Sequence, residues 1–144
     1  MPNTAITSAR NQFPGTITSL TTGMVNTEVI LDIGGGILVT AVITNTSAAA
    51  LDLKVGGQAI ALFKATWVII SIDRELRTSA RNGFKGVIKS AKKGAVNAEI
   101  VVGLPGGQTI AAIVTNESHD ALGLAEGLEV TALVKSSHVI IGVK

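Results

Sequence analysis

The sequence predicts an all-β protein made of two tandem OB-type five-stranded β-barrels, each with a short helix between strands three and four. Three observations lead there. First, residues 8–73 align without a gap on residues 79–144, with 28 identities in 66 positions, so the chain is one unit written twice. Second, each copy reads as short runs of β-branched residues separated by glycine clusters. Third, one apolar stretch in each copy lacks that alternation and fits one or two helical turns, giving the order βββ–α–ββ of an OB-type barrel. An SH3-like barrel is the nearest rival.

In the first copy, Phe13 to Leu20 and Val25 to Ile33 form the first two strands, with Phe13 facing the core and Glu28 and Asp32 facing solvent. Gly34-Gly35-Gly36 between the second and third strands reads as a hairpin turn, because glycine tolerates positive φ. Leu38 to Thr44 is the third strand. Ser47 to Leu53 is the helical segment, with Ser47 as its expected N-cap. Gly56-Gly57 breaks the chain before strand four, Ala59 to Lys64, and strand five, Val68 to Ile72. The second copy repeats the plan, with Phe84 in the place of Phe13. Domains over 8–73 and 79–144 follow, joined by the charged segment Asp73-Arg-Glu-Leu-Arg77.

Composition limits the surface and the function. Only 15% of residues are charged, against roughly a quarter in ordinary soluble domains. A barrel of this length buries only about 60% of its unfolded surface. The two barrels are therefore expected to pack on each other and on further copies of the chain. No apolar run approaches the roughly 18 residues of a membrane span. The stretch MPNTAITSARN has no basic start and no apolar core, so no secretion signal is expected. The absence of cysteine excludes disulfides and thiolate metal sites and is consistent with a reducing cytoplasm. A net charge of +2 and 3% aromatic residues supply neither the basic groove nor the stacking platforms of a nucleic-acid surface.

Catalytic constellations are missing as well. His119 and His138 occur in the second copy alone, opposite Ala48 and Trp67. Glu28 and Glu99 recur singly, as solvated strand positions do. The glycine clusters match neither phosphate-loop nor dinucleotide fingerprints. What recurs is a set of donors with no base or nucleophile: Ser8/Ser79, Arg10/Arg81, Thr44/Thr115, Ser47/Ser118 and Lys64/Lys135. Arg and Lys bring charge-assisted hydrogen bonds to an oxyanion, and hydroxyls and helix N–H groups add donors. Singly, each also reads as a cap or a surface residue. Together, at matched positions, they point to an anion.

Several of these segments carry a resemblance. Ser-Ala-Arg-Asn followed by Phe-x-Gly, then Gly-x-Val-Asn-x-Glu, Thr-x-x-Ser and Lys-Ala-Thr-Trp-Val-Ile resemble the Mop domain of the molbindins. The likeness covers nearly all of both copies, so the chain resembles a tandem-Mop molbindin. The resemblance implies a cytoplasmic binding protein, not an enzyme. It would take molybdate or tungstate as the oxyanion, with no cofactor and no directly ligated metal. It also implies a homo-oligomer, a trimer of two-domain chains, with sites between Mop domains. Carried onto this sequence, the ligand roles fall on Ser8, Arg10, Lys64 and the Ala65 backbone, with Thr44 and Ser47 from a neighbouring domain. In the second copy they fall on Ser79, Arg81, Lys135 and Ser136, with Thr115 and Ser118. Asn26 and Asn97 are weaker candidates for a second kind of site near a symmetry axis. Lys-Ala-Thr-Trp and Lys-Ser-Ser-His depart from the family pattern, so the two copies' sites are expected to differ. Glu117 and Asp120 would add negative charge beside the second Thr/Ser pair.

The implied role is storage or homeostasis of molybdenum without turnover. Selectivity over sulfate would come from cavity size. The alternatives are a molybdate-sensing regulatory module, a nucleic-acid-binding or structural OB protein, and an enzyme of molybdenum-cofactor synthesis.

Overall fold

A computed structural model describes residues 5–144; the first four residues of the N-terminal stretch read for a leader lie outside it. The strands run β1 (Asn11–Thr22), β2 (Asn26–Asp32), β3 (Leu38–Thr44), β4 (Gln58–Phe63), β5 (Ile69–Ser71), β6 (Asn82–Lys93), β7 (Asn97–Gly103), β8 (Thr109–Thr115), β9 (Glu129–Val134) and β10 (Ile140–Gly142). Helix α1 (Asn45–Ala50) follows β3, and α2 (Asn116–Leu122) follows β8. Two five-stranded antiparallel sheets result, in the orders β10-β4-β1-β2-β3 and β5-β9-β6-β7-β8. The all-β, OB-type class and the helix between the third and fourth strands match the expectation.

The compact bodies are not the sequence repeats. One holds the described residues up to Phe63 together with 135–144; the other holds 64–134. In the first, β10 pairs with β4, Ile141 opposite Ala61. In the second, β5 pairs with β9, Ile70 opposite Ala132. Each sheet is thus completed by the closing strand of the other repeat. The turn after β4 explains why the chain does not double back. Lys64 and Val68 are both extended (ψ 142° and 126°) around a single 3-10 turn, Ala65–Trp67. A hairpin there would need a tight turn that reverses the chain, not a turn with extended residues at both ends.

Alternation builds each core. In β2 the buried positions are Thr27, Val29 and Leu31; in β7 they are Ala98, Ile100 and Val102. Phe13 of the first body and Phe84 of the second face inward as expected, and Ile17 and Ile88 are buried beside them in the same strands. Phe13 packs on Phe63 with ring centroids 5.7 Å apart. Val134 occupies the position of Phe63 in the second copy, where it is equally buried. Gly34, Gly35 and Gly36 all have positive φ, which is why this turn is all glycine.

The helix starts earlier than predicted. Thr44, not Ser47, is the N-cap of α1, and its hydroxyl accepts the Ser47 N–H at 3.0 Å. As the last residue of a strand, Thr44 already has the extended backbone a cap requires (φ −72°, ψ 151°). Thr115 caps α2 in the same way.

Candidate functional site

The tetrapeptide Ser-Ala-Arg-Asn opens each first strand, and the structure divides its labour. Ser8 and Arg10, and likewise Ser79 and Arg81, are exposed just ahead of β1 and β6. Asn11 and Asn82 are buried, each 2% exposed, and are structural. Asn82 Nδ2 donates to the Val134 carbonyl at 3.2 Å. In register, Asn11 lies opposite Phe63 and Asn82 opposite Val134. These partners immediately precede Lys64 and Lys135, so each Ser-Arg arm is anchored to the strand end from which its own repeat's lysine departs.

The hydroxyl pairs sit at the far end of β3 and β8. Thr44 Oγ1 donates to Ser47 Oγ at 2.9 Å, and Thr115 Oγ1 to Ser118 Oγ at 3.0 Å. Thr44, Ser47 and Thr115 are exposed and Ser118 is half-buried. The Ser47 and Ser118 amides, expected among the anion donors, are already bonded to the capping threonines. Asn26 and Asn97 are exposed and stand directly across the ladder from Thr44 and Thr115.

Within each body, lysine and hydroxyls come from different repeats. The first body carries Ser8, Arg10, Thr44 and Ser47 with Lys135 and Ser136; the second carries Ser79, Arg81, Thr115 and Ser118 with Lys64 and Ala65. The 3-10 turn Ser136–His138 packs against β3, and Ala65–Trp67 packs against β8. In the first body this makes an open groove of about 400 Å³, lined in part by Thr44, Ser47, Ser137 and Ile140. The sequence reading did not single out Ser137. Its counterpart Thr66 keeps the hydroxyl but not the identity, and a search for identical donors passes over it.

The charges are also settled differently in the two copies. Lys64 Nζ lies 5.5 Å from the centre of the Trp67 ring. Asp120, expected to add free negative charge near Thr115 and Ser118, is engaged instead. His119 Nδ1 is 2.9 Å from one oxygen and Lys93 Nζ donates to the other at 3.0 Å. These hydrogen bonds, His119 first and Lys93 second, hold the Asp120 carboxyl below its ordinary range. Among the described residues no cluster of His, Asp and Glu could hold a metal ion, and no helix is long and apolar enough to cross a membrane.

Comparison with known proteins adds a family match. The TOBE domain family matches residues 7–70 and 78–141. A molybdenum transport protein ModE of Herbaspirillum seropedicae is 42% identical over 139 residues, covering 96% of this chain and 52% of the relative. The molybdenum-pterin-binding protein MopA of Rhodobacter capsulatus is 43% identical over 136 residues, covering 94% and 51%. The chain therefore spans about half the length of the curated relatives it matches. A solved structure of the cytoplasmic molybdate-binding protein ModG, with molybdate bound, matches with a TM-score of 0.93 at 43% identity. It covers 97% of this chain and all of its own.

Proposed function

Because the chain belongs to the TOBE-domain family, which it matches over both repeats, we propose that it binds molybdate, and tungstate alike, without turnover. Its role in this reading is intracellular molybdenum storage and homeostasis in the cytoplasm. The observation that carries the reading is the recurrence, in both copies, of one mostly exposed set of hydroxyl and cationic donors with no base or nucleophile among them. Molybdate is a tetrahedral dianion and offers only acceptors, so such a set suits it on every side.

In this assignment Ser8, Arg10, Lys64 and the Ala65 backbone hold one face of an ion, as do Ser79, Arg81, Lys135 and Ser136. Thr44 with Ser47, and Thr115 with Ser118, close the other face across an interface with a further chain. Asn26 and Asn97 belong to a second kind of site. Two features support a homo-oligomer, a trimer in this reading. Most of the assigned side chains, among them Ser8, Thr44, Ser47, Lys64 and their counterparts Ser79, Thr115 and Lys135, are solvent-exposed in the single chain. Large apolar side chains are also exposed at matched positions of both copies: Val25 and Val96, Ile69 and Ile140, Ile72 and Val143. Gathering cations at an interface is unfavourable until the anion arrives, so molybdate stabilises the assembly by mass action.

Isothermal titration with molybdate, tungstate and sulfate is the test. Saturable binding of the first two with little response to sulfate is expected; no binding, or equal binding of all three, overturns the reading. A second reading, a molybdate-sensing module of a longer regulator, is favoured by the identity to ModE relatives, one of them named a DNA-binding transcriptional dual regulator. Both readings share the anion sites.

A further inference from the structure

We propose that Trp67 is a positioning residue for Lys64, and that its replacement by His138 beside Lys135 makes the two lysine-dependent anion sites unequal. The inference rests on the oxyanion-binding reading and adds a residue outside the donor set assigned above, acting through Lys64.

The geometry follows from the turn. Lys64 precedes the 3-10 turn Ala65–Trp67, and the Trp67 N–H donates to the Lys64 carbonyl at 3.0 Å. Side chains three residues apart eclipse on a 3-10 turn, so the indole lies under the lysine. The ammonium sits 5.5 Å from the ring centre, within the range of a cation–π contact. Lys64 is exposed and its four-carbon stem has many rotamers. An indole face that holds the ammonium removes much of that freedom before an anion arrives. One face of the ammonium rests on the ring, and the remaining N–H groups stay available to an oxyanion.

The second copy has the same turn with different chemistry. His138 N–H donates to the Lys135 carbonyl at 2.9 Å, so His138 takes the place of Trp67 in the turn. Imidazole has a smaller π-face, and its protonated form is itself a cation. Lys135 is therefore held less firmly than Lys64.

Molybdate titration of the intact chain tests this with Trp67→Leu, Trp67→Phe and His138→Trp. A cation–π contact at an exposed site corresponds to about a two- to fivefold change in affinity. Trp67→Leu should weaken the Lys64-dependent sites by that factor, and Trp67→Phe should recover most of it. In a Lys64→Met background, Trp67→Leu should change nothing further, which a purely structural tryptophan would not obey. His138→Trp should tighten the Lys135-dependent sites by a similar factor, and it decides the matter alone if Trp67→Leu fails to fold. Unchanged or tighter binding in Trp67→Leu, or no gain in His138→Trp, overturns the proposal. If the wild-type chain binds no molybdate, the oxyanion reading itself falls; if it binds and the variants match it, only the role of Trp67 falls.

Discussion

Thr27 donates its hydroxyl to Asn45 Oδ1 across 2.6 Å, and the equivalent Asn116 Oδ1 is buried without a partner. The cause is one substitution between the copies: Ala98 stands where Thr27 does. Both asparagines otherwise do the same work, donating Nδ2 to the Gly23 or Gly94 carbonyl at 3.0 Å and so tying the helix start to the β1–β2 or β6–β7 turn. An unsatisfied buried acceptor costs about 1–3 kcal/mol. Ala98→Thr should therefore stabilise the second body by about 1 kcal/mol, and Thr27→Ala should destabilise the first by a similar or larger amount. Urea unfolding of the two variants checks both signs; an Ala98→Thr protein that unfolds earlier than wild type defeats the account.

Gly15 and Gly86 recur for a steric reason. A Cβ on Gly15 would lie 2.5 Å from the Asp32 carbonyl oxygen, and one on Gly86 would meet the Gly103 carbonyl. Both obstacles are backbone and cannot swing aside. The contact comes just before the register shift between Ile17 and Ser19, or between Ile88 and Ser90, where the long first strand bends around its neighbour. Gly15→Ala and Gly86→Ala should each cost about 1–3 kcal/mol. Gly83→Ala is the control, because its Cβ would find only ordinary contact with Leu133 at 3.6 Å. Thermal melts should rank the two strained variants well below the control.

The alternating core was legible because a period of two leaves Phe13, Ile17, Val29 and Leu31 no other face to occupy. The exchange of β5 and β10 was not. Ile69-Ile70 and Ile140-Ile141 are identical in sequence, so either strand satisfies either sheet, and only the open turn after Lys64 or Lys135 decides. Thr44 and Ser47 are both sound caps by residue type; the extended end of β3 selects the threonine. Asn11 and Asn82 escaped notice as structural residues because they sit inside a motif whose other members face solvent. Recurrence identified the donors, but it did not separate groups that meet a ligand from groups that hold the chain in place.

Asp120 gives the fold an acid-sensitive contact found in the second copy alone. Its carboxyl is held below the ordinary value of 3.8 by hydrogen bonds to His119 and Lys93. A depressed folded-state pKa contributes stability that is present above that value and lost as pH falls through the lower one. Asp120→Asn should therefore melt below wild type at pH 5, with the gap closing as the pH falls below the ordinary carboxylate range. High salt should narrow the gap at pH 5, because Asp120 and Lys93 are exposed. Melting curves across this range are the check, and a gap that widens on acidification contradicts the assignment.

Thr44 and Ser47 are three residues apart and bonded to each other, yet they carry different duties. Thr44 Oγ1 is the acceptor that caps α1, while the Ser47 hydroxyl accepts a hydrogen bond from Thr44 and keeps its own O–H to donate elsewhere. Thr44→Val removes the cap and should cost about 1 kcal/mol of stability before any ligand is added. Ser47→Ala keeps the cap, so its unliganded melting should stay within about 0.5 kcal/mol of wild type. Molybdate affinity should nevertheless fall, because a donor to the oxyanion is gone. Thr115→Val and Ser118→Ala should repeat the contrast in the second body. Unliganded melts paired with molybdate titrations separate the two roles. If Ser47→Ala melts as low as Thr44→Val, or titrates like wild type, this division of labour is wrong.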